Sequence, residues 1–378
     1  MKLALVHDWL NQVGGAEDVL ATLVEMYPQS PIYTGLYAPE VMPDFYRDWD
    51  IHTLWIDKLP GIHNHHQPYL PVYPPAWGGL KLEGYDVILS NKSGFCHGLQ
   101  FDPQQSVHVC YCLAPTRYVW QLDAYIAREG LGKPAEMVLR PLVNWLKRWD
   151  YDAAQRVTHF IAISTEIQER IKSYYDRESV IIYPPVETDR FQPVSPEEVE
   201  DYFLIVSRLI PYKRIDLAVQ AATRLNVPLK IGGKGRDMER LRAMAGPSVE
   251  FLGFVPDDEL PTLMAKAKAF IFPGLEDFGI TPVQAEAAGR PVIAYGAGGA
   301  LDTVIPGMTG EHFAELTVDS LAEVMANFDA SHYDPQTIRQ HALKFDVGVF
   351  DAQVRAFVDQ AHAAHSSGEP FIWKDPIA

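Results

Sequence analysis

The sequence predicts an α/β protein built as two halves, each a parallel sheet covered by helices. Three observations predict it. At 378 residues the chain holds about two domains' worth of polypeptide at ~150 residues each. A strand, a glycine turn and an apolar-periodic helix open the chain, and a strand, a loop and such a helix open again at Tyr202. Beyond that point strands and helices alternate at the short spacing of a parallel sheet with crossover helices. Apolar residues make up 47% and charged residues 21%, an ordinary globular balance that excludes both disorder and a coiled coil.

Taken in order, Lys2–Val6 reads as a buried parallel strand, Val13-Gly14-Gly15 as a sharp turn and Glu17–Met26 as a helix. Further strands are expected at Asp86–Ser90, Val107–Cys112 and Thr158–Ser164. Pro60–Pro75 shows no periodicity and reads as irregular. Tyr183-Pro184-Pro185-Val186 through Pro193 to Pro196 is a proline-rich stretch that cannot continue a helix and suits a linker. The second half then runs strand Tyr202–Val206, loop Ser207–Lys213, helix Asp216–Leu225 and strand Leu229–Ile231. A glycine turn (Gly232, Gly233, Gly235), helix Asp237–Ala245, strand Val249–Leu252, helix Asp258–Ala267 and strand Ala269–Phe272 follow. Lys344–Ala361 reads as an amphipathic terminal helix. Two Rossmann-like halves facing across a cleft are expected, with ligands beyond the carboxyl ends of the strands.

Composition narrows the partners. Lys and Arg number 32 against 49 Asp and Glu, and a formal charge of −17 repels nucleic-acid phosphates. Cys96, Cys110 and Cys112 cannot all pair, and Met1–Val6 is too short an apolar run for a signal peptide, so a reducing cytoplasm is expected. No apolar stretch approaches the ~20 residues of a membrane span, which leaves peripheral contact. Met137–Trp149, where cations alternate with tryptophans, has the composition of such an interfacial helix, or of an ordinary packed one.

Other chemistries fit poorly. A dinucleotide enzyme needs Gly-x-Gly-x-x-Gly after its first strand, and Gly14-Gly15-Ala16 lacks that spacing. His63, His65 and His66 lack companion ligands, so no metal site is expected. Asp48-Trp49-Asp50 and Asp150-Tyr151-Asp152 match a loose metal-diphosphate pattern, but no clear buried strand precedes either.

The chemistry concentrates in the second half. Arg208 and Lys213 lie five residues apart in one post-strand loop and can converge on a diphosphate, Arg as a planar fork and Lys as a point charge. Pro273 to Pro282 follows another strand and opens a helix, where amides reached through Gly279 form a natural anion site. Glu276 would be repelled by a phosphate, so it suits the hydroxyls of a neutral sugar.

These residues carry a resemblance. Arg208 with Lys213, Glu276-Asp277-Phe278-Gly279, and Ala288-Gly289-Arg290-Pro291-Val292 followed by Gly298-Gly299 resemble the retaining, nucleotide-sugar-dependent glycosyltransferases of family 4, which have the GT-B fold. His7-Asp8-Trp9-Leu10 with Gly14-Gly15-Ala16-Glu17, Pro115-Thr116-Arg117-Tyr118 and Ile182-Tyr183-Pro184-Pro185-Val186 resemble the polysaccharide-assembly members.

The resemblance implies a domain of residues 1–195 plus 346–378 that takes the acceptor, with Arg117 and Tyr118 on that side, and a nucleotide-sugar domain of residues 196–345. Arg208 and Lys213 would neutralise the diphosphate, and Glu276 would hold sugar hydroxyls. Phe278, Gly279, Ile280 and Thr281 would hold phosphate and sugar, Phe254 and Val255 would contact the base, and Gly14 and Gly15 would approach the donor from the first half. Neither a metal nor any other cofactor is implied. UDP-glucose leads as donor and GDP-mannose follows, with a glycan or lipid-linked saccharide as acceptor, at the inner face of the membrane in the lipid case. The rivals are a non-catalytic sugar-nucleotide-binding homologue and an enzyme of the same fold with another reaction, such as an epimerase.

Two positions depart from the family pattern. Gln284 stands where relatives usually carry a ribose-binding Glu, with Glu286 two residues on, and Leu113 stands where they often carry His.

Overall fold

The computed structural model describes residues 1–121 and 133–377, without the side chains of residues 133–139. The chain divides into two compact units, Met1–Tyr183 with Phe350–Ala378, and Pro184–Val349.

In the first unit the strands are β1 (Leu3–His7), β2 (Ile32–Thr34), β3 (Ile51–Thr53), β4 (Lys81–Leu82), β5 (Val87–Lys92), β6 (Gln100–Phe101), β7 (Val107–Cys112), β8 (His159–Ala162) and β9 (Ser179–Ile181). Seven of them form a parallel sheet in the order β3-β2-β1-β5-β7-β8-β9, and β4 pairs with β6 apart. Every residue of β1, β5 and β7 is buried, as parallel strands covered on both faces require. Helices α1 (Gly15–Met26), α2 (Tyr73–Gly79), α3 (Arg117–Trp120), α4 (Lys133–Ala154) and α5 (Thr165–Tyr175) accompany the sheet.

The Pro60–Pro75 stretch is more regular than its composition suggests. Gln67–Val72 forms a 3₁₀ helix that leads into α2, where Pro74 and Pro75 occupy the first turn, whose N–H groups need no partner. Tyr73 and Trp77 of α2 are fully buried in a core with Ala4, Val6, Trp9 and Phe95.

The second unit carries β10 (Phe203–Val206), β11 (Leu229–Gly232), β12 (Val249–Gly253), β13 (Ala269–Phe272), β14 (Val292–Tyr295) and β15 (Gly310–Phe313) in the order β12-β11-β10-β13-β14-β15. Its helices are α6 (Ile215–Leu225), α7 (Met238–Met244), α8 (Leu260–Ala265), α9 (Ile280–Ala287), α10 (Ala300–Thr303), α11 (Val318–Asn327) and α12 (Pro335–Ala342). The last helix, α13 (Val347–Ser367), starts in this unit and ends in the first. Phe203, Ile205, Leu217, Ile231, Ile271 and Ile293 meet in the core of the second unit.

Residues 184–195 fall in the second compact unit, whereas the resemblance implied a first domain that runs to residue 195. The reason is local pairing. Val186 N–H donates to Phe345 O and Val347 N–H to Val186 O, both at 3.0 Å, so the extended proline segment is zipped onto the entry to α13. The Arg339 guanidinium also binds the carbonyls of Thr188 and Phe191.

Strand order reverses once in each sheet, between β1 and β5 and between β10 and β13. At such a switch point the loops leaving adjacent strands part to opposite faces and open a crevice at the carboxyl edge. Among the described residues, no helix is long and apolar enough to cross a membrane.

Candidate functional site

The second unit's switch point holds Arg208, Lys213, Glu276 and Gly279 of the predicted residues. β10 leads into residues 207–214 and β13 into residues 273–279, so the two loops leave neighbouring strands. Lys213 ends the 3₁₀ turn Pro211–Lys213, and its Nζ lies 2.6 Å from Glu276 Oε1. The pair is largely buried, at 18% and 14% side-chain exposure. Arg208 is exposed on the same loop as Lys213, and its Nη2 donates to the Tyr212 hydroxyl at 3.4 Å. The Tyr212 ring also lies 5.7 Å from Lys213 Nζ, so one tyrosine touches both cations. Arg214, next in sequence, is spent elsewhere: it begins α6 and its guanidinium contacts Asp216 at 3.2 and 3.4 Å.

The helix that starts beside this pair is α9. Its N-cap is Gly279 at φ +101°, a left-handed backbone that favours glycine, and a Cβ there would stand 2.8 Å from the Phe272 ring. The turn lets the amides of Ile280 and Thr281 begin the helix at the rim, where its positive end favours an anion. Thr281 and Gln284 are half-buried and three residues apart, hence on one stripe of α9, whereas Val283, Ala285, Glu286 and Ala287 are buried. Glu286 is fully buried, and desolvation pushes its carboxyl well above the usual range. Of the two candidate residues, then, Gln284 is the one on the half-exposed stripe.

The loop carrying Glu276 is pinned from behind. Gly299 donates its N–H to Glu276 O at 2.9 Å, and a Cβ on Gly299 would fall 2.2 Å from Phe278 Cα. The Gly298-Gly299 pair is therefore the backing on which Glu276 and Phe278 rest. Phe278 itself is buried against Phe345.

Phe254 follows β12 and is 65% exposed, with Lys234 Nζ 5.6 Å from its ring centre. Val255 packs inward, its Cγ2 2.7 Å from where a Cβ on Gly232 would sit. β12 lies two strands from β10, roughly 10 Å at the usual strand spacing.

The remaining predicted residues lie in the first unit. Gly14 caps α1 with extended backbone, its carbonyl accepting the N–H groups of Glu17 and Asp18. Gly15 starts that helix. Arg117 is exposed and Tyr118 half-buried on α3, the turn that follows β7.

Beneath them is a buried polar scaffold that sequence reading missed. Asp8 accepts the backbone N–H groups of Ser93, Gly94, Phe95 and Cys96 at 2.6 to 2.8 Å. The wholly buried Lys92 donates to Ala114 O at 3.1 Å, and the wholly buried Asp150 accepts from Thr116 Oγ1, Trp120 Nε1 and Tyr175 OH. Asp150 thus anchors the Pro115–Tyr118 turn. Its partners are distant in sequence, and sequence reading met Asp150 only in the Asp150-Tyr151-Asp152 pattern, which it set aside as a metal-diphosphate match.

Of the histidines, His63 Nε2 meets Asp57 Oδ1 at 2.9 Å and His66 stacks on Trp9. Among the described residues no group of three His, Cys, Asp or Glu could hold a metal ion. On α4, Val143 and Leu146 are buried while Trp145 and Arg148 are exposed; Met137, Val138 and Leu139 lie outside the described side chains.

Two α/β units, the second bearing a cation–carboxylate pair and a helix N-terminus at its switch point, define a protein of the GT-B class. A family model described as "Glycosyl transferases group 1" matches residues 186–343, and one described as "Glycosyltransferase Family 4" matches residues 13–190. The chain belongs to glycosyltransferase family 4.

Among curated relatives it is 32% identical to a GDP-mannose-dependent alpha-(1-6)-phosphatidylinositol monomannoside mannosyltransferase of Mycobacterium tuberculosis, over 43% of this chain and 50% of the relative. It is 29% identical to the 2-deoxystreptamine glucosyltransferase of Streptomyces kanamyceticus, over 49% of this chain and 54% of that one. The chain therefore spans about half the length of the curated relatives it matches. Among solved structures, HepE of Anabaena in complex with UDP superposes with a TM-score of 0.67 at 18% identity, covering 94% of this chain and 98% of that one. That likeness is one of fold.

Proposed function

We propose that the protein is a retaining hexosyltransferase that moves a sugar from a nucleoside diphosphate donor to a glycan or lipid-linked saccharide, without a metal ion. The observation that carries the reading is the Lys213–Glu276 pair at the β10/β13 switch point, with Arg208 on the same loop and the α9 N-terminus beside it. A diphosphate arriving there competes with Glu276 for Lys213, which frees the carboxylate to accept sugar hydroxyls. Arg208, Lys213 and the amides around Gly279 to Thr281 meet the charge that grows on the leaving diphosphate, a preorganised electrostatic contribution of several kcal/mol. The bond from the anomeric carbon to the diphosphate oxygen breaks as the acceptor oxygen attacks from the same face, the bonding pair leaves with the diphosphate, and the acceptor's proton passes to a departing phosphate oxygen.

Gln284 would reach the ribose, and Phe254 and Val255 the base. Arg117 and Tyr118 would serve the acceptor. GDP-mannose is the preferred donor, since the mycobacterial relative's name specifies it; UDP-glucose, which sequence alone placed first, is the second. The same relative acts on a lipid-linked sugar, and the exposed Trp145 and Arg148 of α4 suit contact with an anionic membrane surface.

A thermal-shift series over UDP, GDP, ADP and their sugars, run with EDTA, tests the proposal. A ligand at ~100 times its Kd adds ~2.7 kcal/mol to stability, so GDP and GDP-mannose should raise Tm most. Transfer of labelled mannose to a lipid-linked acceptor in EDTA completes the test. No shift with any nucleotide, or donor binding without any turnover, would overturn it.

A further inference from the structure

The glycine turn after β11, Gly233-Lys234-Gly235, lies between the loop that carries Arg208 and the loop that carries Phe254. Backbone contacts fix it on both sides. Gly233 donates its N–H to Gly253 O at 2.6 Å, next to Phe254, and Lys234 O accepts the N–H of Leu209 at 2.9 Å, next to Arg208. Larger residues do not fit on either side of Lys234. A Cβ on Gly233, whose φ is +129°, would fall 1.8 Å from Ser207 O, and one on Gly235 would fall 2.1 Å from Leu209 O. Lys234 is thus the one side chain of the turn, on a main chain locked to both neighbouring loops.

That side chain reaches solvent. Lys234 is exposed and makes no ion pair among the described residues, whereas Lys213 and Arg214 each hold a carboxylate. Its Nζ stands 5.6 Å from the ring centre of Phe254, which is itself 65% exposed. An open ring with an unpaired ammonium at its side offers a planar ligand an apolar face to stack on and a charged donor toward its rim.

The chemistry of the donor decides which planar ligand is favoured. An ammonium only donates, so it is satisfied by O6 and N7 of guanine or by O4 of uracil. Adenine and cytosine carry an amino group at the corresponding position, and its N–H bonds would face the ammonium.

We propose that Lys234 reads the base of the nucleotide donor, with Phe254 as its stacking platform, and selects the keto bases guanine and uracil over the amino bases adenine and cytosine. This rests on the donor reading above and goes beyond it in naming the group that discriminates among nucleotides.

The test is titration calorimetry of the full-length chain with GDP, ADP, UDP and CDP, which pair a keto with an amino base at each ring size. Inorganic pyrophosphate is the probe that lacks a base. In at least one pair the keto nucleotide should bind ~10-fold tighter or more, as expected for one hydrogen bond to a charged group. Lys234→Met keeps the apolar stem and removes the ammonium. It should weaken that keto nucleotide by about tenfold and erase most of the preference, with pyrophosphate affinity and Tm unchanged. Phe254→Ala should weaken keto and amino nucleotides alike, by about tenfold, because stacking tolerates any base. Equal affinities within both pairs, or a preference that survives Lys234→Met, would overturn the inference and leave the donor reading standing. So would a pyrophosphate affinity that falls as far as the nucleotide's in Lys234→Met, since the lysine would then be one more phosphate contact. A chain that binds none of the five ligands would remove the donor reading itself, and this inference with it.

Discussion

At the scale of single residues, the site turns on how Lys213 is shared. Its ammonium lies 2.6 Å from the Glu276 carboxylate in a largely buried pair. Removing one partner of such a pair strands the other's charge. On the proposed function, Lys213→Ala therefore removes a cation from the diphosphate and leaves Glu276 to repel it. Arg208→Ala removes an exposed cation alone. A charge-assisted hydrogen bond is worth ~1.5–3 kcal/mol, or ~10- to 100-fold, so both variants should lose at least ~10-fold in kcat/KM, with Lys213→Ala the worse. Glu276→Gln keeps the shape, relieves the repulsion and weakens the grip on sugar hydroxyls. It should bind the bare nucleoside diphosphate at least as tightly as wild type while losing transfer. Titration calorimetry with GDP and GDP-mannose, beside steady-state rates, separates these outcomes; equal kinetics in all three variants would remove the diphosphate assignment.

At the scale of elements, the rigidity of the Glu276 loop comes from backbone lying on backbone. A methyl group at Gly299 would sit 2.2–2.3 Å from Phe278 Cα and O, and no rotamer change can relieve a clash with main chain. Gly299→Ala should cost ~1–3 kcal/mol, a Tm drop of several degrees, and weaken nucleotide binding as the loop shifts. Gly78→Ala, in α2 with open space around it, should leave Tm within about a degree or raise it. Differential scanning calorimetry on the two variants is the check. The same contrast explains what could be read from sequence. β1, β10 and β13 are continuous apolar runs, so the loops that follow them, and with them Arg208, Lys213, Glu276 and Gly279, were visible. β2, β3 and β9 are three residues long, with half-exposed positions, and leave no run to detect. α2 was hidden by its own prolines. Lys92 and Asp150 act through partners far away in sequence, and that Glu286 faces the core while Gln284 does not depends on which side of α9 meets the sheet. Each of these is settled by tertiary packing, which local pattern does not record.

At the scale of the whole molecule, the titration of buried histidines sets the response to acid. His97 and His108 are fully buried in the first unit. Burial holds His108 at about 3 and His97 well below the ordinary value, so both are neutral at pH 7. The sign follows from linkage. A base whose pKa is lowered by folding binds fewer protons folded than unfolded, so its contribution is complete above the unfolded pKa near 6.5 and is lost as pH falls toward the folded value. His108 alone implies a slope of ~1.4 kcal/mol per pH unit between about pH 6 and pH 4, roughly 3 kcal/mol over that window, and His97 adds in the same direction. Hydrogen exchange at pH 7, 6 and 5, corrected for intrinsic rates, should show amides of β5, β7 and β8 losing protection as pH falls. His108→Gln offers a side-chain N–H to Ser90, which His108 Nε2 now meets at 2.9 Å, and takes away one titrating group. Its stability should fall with acid by ~1.4 kcal/mol per pH unit less than wild type does. Parallel acid profiles for the two proteins would show that some other group carries the proton uptake.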